Sequence, residues 1–176
     1  TLRWGAFLLI YAALEGYYDT LLGYRAEKRR PLPLNPSKIQ QFAKDQHGVA
    51  LFTKSWACRT RVRPPSGTNH SEWKSFSGVK ELTLYLGDLK SLRDLLSHGG
   101  DPYAATNDSG AFWEIKNGHS MRIMGVEGFL QAACDLADQT AIAFGVALAD
   151  LPDWPRPTRS ELSALPPPQH PLLPGR

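Results

Sequence analysis

The sequence predicts a mainly α-helical fold, a four- to five-helix up-and-down bundle with a small β-hairpin inserted before the last long helix. Three observations predict it. Apolar residues recur at spacings of three and four in separate stretches. Helix start and stop residues bracket those stretches. One Asn-Gly pair between short β-favouring runs is a strong hairpin signal. The chain has 176 residues; residues 1–150 are enough for one domain with one core, and residues 151–176 form a proline-rich flexible tail.

The first helix runs from Leu2 to about Tyr24, with Phe7, Leu8, Tyr11, Leu14, Tyr18, Leu21 and Leu22 on one face. The basic run "RAEKRRPLP" ends it, because prolines at 31 and 33 cannot continue a helix. A second, short helix follows in "LNPSKIQQFAKDQHG", with Asn35 as N-cap, Pro36 in its first turn and Gly48 just past its end. The stretch "VALFTKSWAC" is ambiguous between helix and strand, and "RTRVRPPSGTNHSEW" has the composition of a loop. From Val79, the residues Leu82, Tyr85, Leu86, Leu89, Leu92 and Leu96 mark a third helix, stopped by Gly99 and Gly100. The hairpin lies in "AFWEIKNGHSMRIM", turning at Asn117-Gly118. A long fourth helix spans "GVEGFLQAACDLADQTAIAFGVALADL", and beyond Leu151 the prolines impose extended backbone.

The formal net charge is +3, too mild to argue for nucleic-acid binding without clustering. Clusters are present at Arg25, Lys28, Arg29 and Arg30 and at Arg59, Arg61 and Arg63. Most such runs serve solubility, but they would attract a polyanion with salt-sensitive affinity. Trp56 and Trp73 flank the second cluster and either stack on unpaired bases or pack in the core. The two cysteines, Cys58 and Cys134, have neither zinc nor disulfide-framework spacing, which points to a reducing compartment and a cytoplasmic protein. The apolar run before Glu15 is too short to span a bilayer and lacks a cleavage signal. No Gly-rich phosphate loop is present and no metal or other cofactor is implied.

The chemistry concentrates in "SLRDLLSHGG", residues 91–100. Its plain reading is a well-stopped helix end with an Asp94–His98 surface pair. A sharper reading starts from Arg93 and His98, about 140° apart around an ideal helix. One copy makes no compact Arg–His pair, whereas a two-fold interface repeats the patch and gathers two of each. Histidine titrates near neutral pH and can take the proton from a 2′-hydroxyl or give one to the leaving oxygen. Arginine holds two phosphate oxygens in a fixed fork. That set suits RNA cleavage without a metal, with Asp94 either orienting the ring or remaining solvated.

"RDLLSHG" resembles the motif of HEPN domains, in which Arg and His are separated by four to six residues, a polar residue follows the Arg and glycine often follows the His. "LLIYAALEGYYDTLL" is similar to the first helix of that superfamily. The resemblance implies a helical bundle, dimerisation that joins two motifs and, in many members, metal-independent endoribonuclease activity used by toxins and phage-defence effectors. It carries over to Arg93, Asp94 and His98 as the catalytic set, with RNA as substrate, a homodimer as the working form, and an antitoxin or other cognate protein as a further partner. Asp94 stands where asparagine is commoner, placing a negative charge beside the phosphate site. A catalytically silent HEPN-like module that binds RNA, nucleotide or protein is the alternative, and a helical interaction domain with a coincidental motif is the third reading.

Six residues complete the survey. Arg63 and His70 also have motif-like spacing, but Pro64, Pro65 and Gly67 put them on a loop. Glu15 either contacts the third helix near the motif or faces solvent. His119 beside the hairpin turn reads as polar surface, His47 as a helix-end cation, and Cys134 as a small buried apolar residue.

Overall fold

A computed structural model describes residues 2–63 and 71–154. Five α-helices, two single-turn 3-10 helices at Pro102–Ala104 and Leu148–Asp150, and two antiparallel two-stranded hairpins are the regular elements of the described chain. His70, Pro64, Pro65 and Gly67 lie outside the described residues, as does the tail from position 155.

Helix α1, Leu2–Leu22, buries Phe7, Tyr11, Leu14, Tyr18 and Leu22 on the predicted stripe. It does not end in a basic non-helical run. Gly23, at φ 67°, breaks it, and a short α2, Tyr24–Lys28, follows. The buried Asp19 carboxylate causes the restart: it accepts the Arg25 N–H at 3.0 Å and pairs with Arg25 Nε at 2.7 Å. Helix α3, Pro36–His47, matches the expectation, with Asn35 Oδ1 accepting from the Lys38 N–H at 3.0 Å and Gly48 closing it at φ 68°.

The loop reading of the next segment is corrected. Ala57–Val62 forms β1 and Glu72–Ser77 forms β2, paired antiparallel from Ala57 opposite Ser77 to Val62 opposite Glu72. Alternation made this strand legible only in retrospect: Cys58, Thr60 and Val62 point into the protein, but so does Arg61, and two arginines among them masked the pattern. Trp56 and Trp73 are both buried, so they serve packing rather than an exposed stacking platform.

Helix α4, Gly78–Ser97, is the predicted third helix. The Ser77 N–H donates to Glu81 Oε2 at 2.7 Å, which satisfies a backbone donor ahead of the first turn. Strands β3, Trp113–Ile115, and β4, Gly118–Ser120, make the predicted hairpin, displaced by one residue from the expected turn. Lys116 and Asn117 form the turn, and Gly118 is already in β4 at φ 144°, with its Cα against the Tyr103 carbonyl. Helix α5, Ile123–Ala143, is shorter than the predicted fourth helix. Gly145, at φ 91°, stops it, and the Val146 N–H turns back to the Ala141 carbonyl at 3.0 Å.

Helix α5 covers the open edge of β1. Gln139 Oε1 accepts from the Ala57 N–H at 3.0 Å and Nε2 donates to the Ala57 carbonyl at 2.7 Å. Asp135 Oδ2 accepts from the Arg59 N–H at 2.8 Å. Gly128 on the same helix face lies so close that a Cβ would stand 2.2 Å from the Arg61 nitrogen. An edge strand's free donors and acceptors are thereby closed off by side chains rather than by another strand. The core between α1, α3, α4, α5 and the first hairpin holds Phe7, Tyr11, Phe52, Trp56, Leu86 and Phe129. Among the described residues no helix is long and apolar enough to cross a membrane.

Candidate active site

The motif occupies the last turns of α4, beside α1 and the Asp101–Phe112 connection. Arg93 and His98 do not converge within one chain. The Arg93 guanidinium turns toward α1, where Nη2 donates to Glu15 Oε1 at 3.1 Å and the cation lies 5.1 Å from the centre of the Tyr11 ring. This decides between the two expectations for Glu15: it contacts the motif helix. His98 is exposed and caps the helix end, its N–H donating to the Asp94 carbonyl at 3.0 Å.

Asp94 stands between two cations. Its Oδ1 meets Arg93 Nη1 at 2.8 Å, and its Oδ2 accepts from Lys90 one turn earlier. The negative charge at the motif's polar position is therefore shared by an arginine and a lysine. Lys90, Asp94 and His98 line an open cleft of about 670 Å³, faced across by Ala104, Thr106 and Asp108. Arg93 does not line it; it reaches the motif through Asp94.

The wall opposite His98 is held by one buried carboxylate. Asp88 on α4 accepts from Thr106 Oγ1 at 2.8 Å, the Asp108 N–H at 3.0 Å, the Ser109 N–H at 2.8 Å and Ser109 Oγ at 2.6 Å. Asn107 braces the same loop, accepting from the Phe112 N–H at 2.8 Å and donating to its carbonyl at 3.1 Å. A buried carboxylate is stable only when such donors replace its water. Asp88 falls between Tyr85 and Leu92 at helical spacing, so a charged residue on an apolar stripe was the signal in the sequence for this anchor.

No protein family, curated protein or solved structure matches the chain.

The expected RNA-binding residues fall into three situations. Arg59 and Arg61 are turned inward: Arg59 pairs with Asp135 at 2.6 Å, and Arg61, 2% exposed, pairs with Glu127 at 3.0 Å while lying over Trp73. Arg63 Nη1 donates to the Glu114 carbonyl at 3.3 Å. In the other cluster, Arg25 pairs with Asp19 and Lys28 with Glu27, while Arg29 and Arg30 are exposed. The reason for the inward turn is α5, whose acidic residues at 127 and 135 face β1, a pairing across more than sixty positions.

His47 ends α3, the helix-end position expected of it, whereas His119 differs from expectation. His47 Nε2 reaches the Leu22 carbonyl at 3.0 Å and its ring meets Phe144 edge-on, tying α3 to the ends of α1 and α5. His119 Nδ1 reaches inward to the Ala105 carbonyl at 2.9 Å instead of serving as free surface. Cys134 is buried, as expected, and burial pushes its thiol up to about 11. Cys58, fully enclosed, is shifted upward for the same reason. Tyr11 is pushed up to about 12 by burial; the Arg93 cation over its ring pulls the other way without offsetting it.

Proposed function

We propose that the protein is a metal-independent endoribonuclease of HEPN type that works as a homodimer. The observation that carries this reading is the motif's arrangement at the end of α4: an exposed His98 on an open cleft, next to an Asp94 whose charge is shared by Arg93 and Lys90. An imidazole accessible to substrate can move a proton near neutral pH, and the shared carboxylate no longer opposes an approaching phosphate as a lone anion would.

In the proposed reaction the RNA 2′-oxygen attacks phosphorus, the bond to the 5′-oxygen breaks, and a 2′,3′-cyclic phosphate and a 5′-hydroxyl result. One imidazole takes the 2′-hydroxyl proton and the other, from the second copy, gives a proton to the departing 5′-oxygen. Arg93 offsets the charge of the phosphorane. Because Arg93 and His98 diverge around α4, a second copy is needed to put a guanidinium opposite an imidazole. The up-and-down bundle arrangement, a cytoplasmic setting, a toxin–antitoxin or phage-defence role and a cognate antitoxin all belong to this same reading.

The engagement of Arg93 by Glu15 and Asp94 favours a second reading, a silent module that binds RNA, nucleotide or a partner protein, because a guanidinium already holding two carboxylates is less available to phosphate. Incubating the purified protein with RNA in EDTA, beside folded His98→Ala and Arg93→Ala variants, separates them. Cleavage lost in both variants supports the nuclease. Binding without cleavage supports the module, and neither activity leaves an interaction domain.

A further inference from the structure

The Asp101–Thr106 segment is a wall with two sides. Ala104 and Thr106 face the motif cleft, and Tyr103 faces a second open cleft of about 550 Å³. That second cleft lies where the start of α1, the β3–β4 hairpin and the start of α5 meet, and its lining is Arg3, Tyr103, Ile115, Ser120, Arg122 and Ile123. It holds two cations and no carboxylate.

Four features set it apart from an ordinary basic surface. The Arg3 guanidinium is preorganised: it lies 4.3 Å from the centre of the Trp4 ring, and Nη2 donates to the Tyr103 hydroxyl at 3.0 Å, while Nε is buried without a partner. Neither Arg3 nor Arg122 pairs with a carboxylate among the described residues, in contrast to Arg25, Arg59, Arg61 and Arg93. Ser120, only 4% exposed, brings its hydroxyl-bearing side chain to the cleft lining. Finally, the long helix α5 begins here with Arg122 as its N-cap and no side-chain cap, so its positive end is open.

Two unpaired guanidinium groups, two hydroxyls and an uncapped helix start are the donors a tetrahedral dianion or monoanion requires. Ile115 and Ile123, 38% and 56% exposed, add an apolar rim suited to a sugar or base edge. We propose that this cleft binds a phosphate group and, resting on the nuclease reading above, that the group is a backbone phosphate of the RNA strand whose scissile bond lies at His98. The strand crosses the Asp101–Thr106 wall from one cleft to the other.

The test uses the His98→Ala protein, so that RNA is bound without being cut, with inorganic phosphate and a short oligouridylate as probes. Amide NMR follows Ser120, Ile123 and Met124, and fluorescence anisotropy follows affinity across a salt series. Both probes move those amides and compete with one another. Arg122→Ala weakens the oligonucleotide about tenfold and reduces the salt slope by about 0.7, the value for one single-strand phosphate contact. Ser120→Ala weakens it less, and each variant keeps the parent thermal midpoint. If neither probe moves the amides and both variants bind with unchanged affinity and slope, the site is overturned, whatever His98 does in the wild-type protein. If phosphate moves them and the oligonucleotide does not, the RNA assignment is overturned and a free phosphate compound is the ligand. If both probes bind there but wild-type protein leaves RNA whole, the phosphate site stands and the nuclease reading falls.

Discussion

Arg93 ties α4 to α1 through Glu15: Nη2 donates to Oε1 at 3.1 Å, with the guanidinium over the Tyr11 ring and its other nitrogen on Asp94. One fork serves two carboxylates and an aromatic face, a set of contacts a single ammonium cannot reproduce. Arg93→Lys is therefore expected to lose stability, while both ion pairs are partly exposed, 27% at Arg93 and 20% at Glu15, which keeps the loss near 1 kcal/mol. Urea denaturation measures it; a loss of several kcal/mol would contradict a water-screened pair. Glu15→Gln keeps the acceptor and should cost about half as much.

Gly128 makes the α5–β1 contact possible, since a methyl there would meet the Arg61 backbone nitrogen. The neighbour is backbone, which cannot rotate aside. Gly128→Ala should cost about 2 kcal/mol or more even though alanine favours helix. Hydrogen exchange should report the loss first at Ala57 and Arg59, whose amides are held by Gln139 and Asp135. Protection that stays at the parental level at both would refute the close-packing argument.

Removal of Asp88 should loosen the wall of the motif cleft without melting the protein. Asp88→Ala leaves the amides of Asp108 and Ser109 and two hydroxyls without their acceptor, and the expected cost is about 3 kcal/mol. Amide exchange at 108 and 109 should accelerate strongly while that in α3 follows only the global change. Equal acceleration everywhere would mean that Asp88 is a core residue rather than a loop anchor.

Alkali should destabilise the fold through groups that burial keeps neutral. Tyr11 and Tyr17 are raised from 10.0 to about 12, and Cys134 from 9.0 to about 11. The unfolded chain releases these protons first, so it binds fewer protons than the folded one between the paired values, and the slope of stability against pH is negative there. Stability is full below about pH 9 and declines as pH rises through the range to about 12. A thermal-midpoint series against pH reads this directly. Tyr11→Phe should flatten the decline and cost little at neutral pH, because the Tyr11 hydroxyl oxygen is buried with no hydrogen-bond partner; an undiminished decline in this variant and in Tyr17→Phe would rule out the two phenols as its source.

Much of the local architecture was legible because its causes are local. Asn35, Pro36 and Gly48 bound α3 through contacts within four residues, and the stripe from Leu82 to Leu92 fixed which face of α4 is buried. The hairpin at 113–120 was also legible, with its turn one residue early. The hairpin at 57–77 was not. Its edge is satisfied by Gln139 and Asp135, and its arginines are neutralised from α5, so a sequence that looked like a basic loop is a buried strand.

The sequence alone determined where the helices start and stop, which apolar faces seek a core, and that Arg93, Asp94 and His98 share a helix end. Tertiary structure decided what those side chains meet: Glu15 across α1, Lys90 on Asp94, Asp88 holding the facing loop, and unpaired cations at Arg3 and Arg122 instead of Arg59 and Arg61. The physical reason is range. Helix periodicity and capping act over three or four residues, whereas the partner of a charge is chosen by packing between segments that can lie a hundred positions apart.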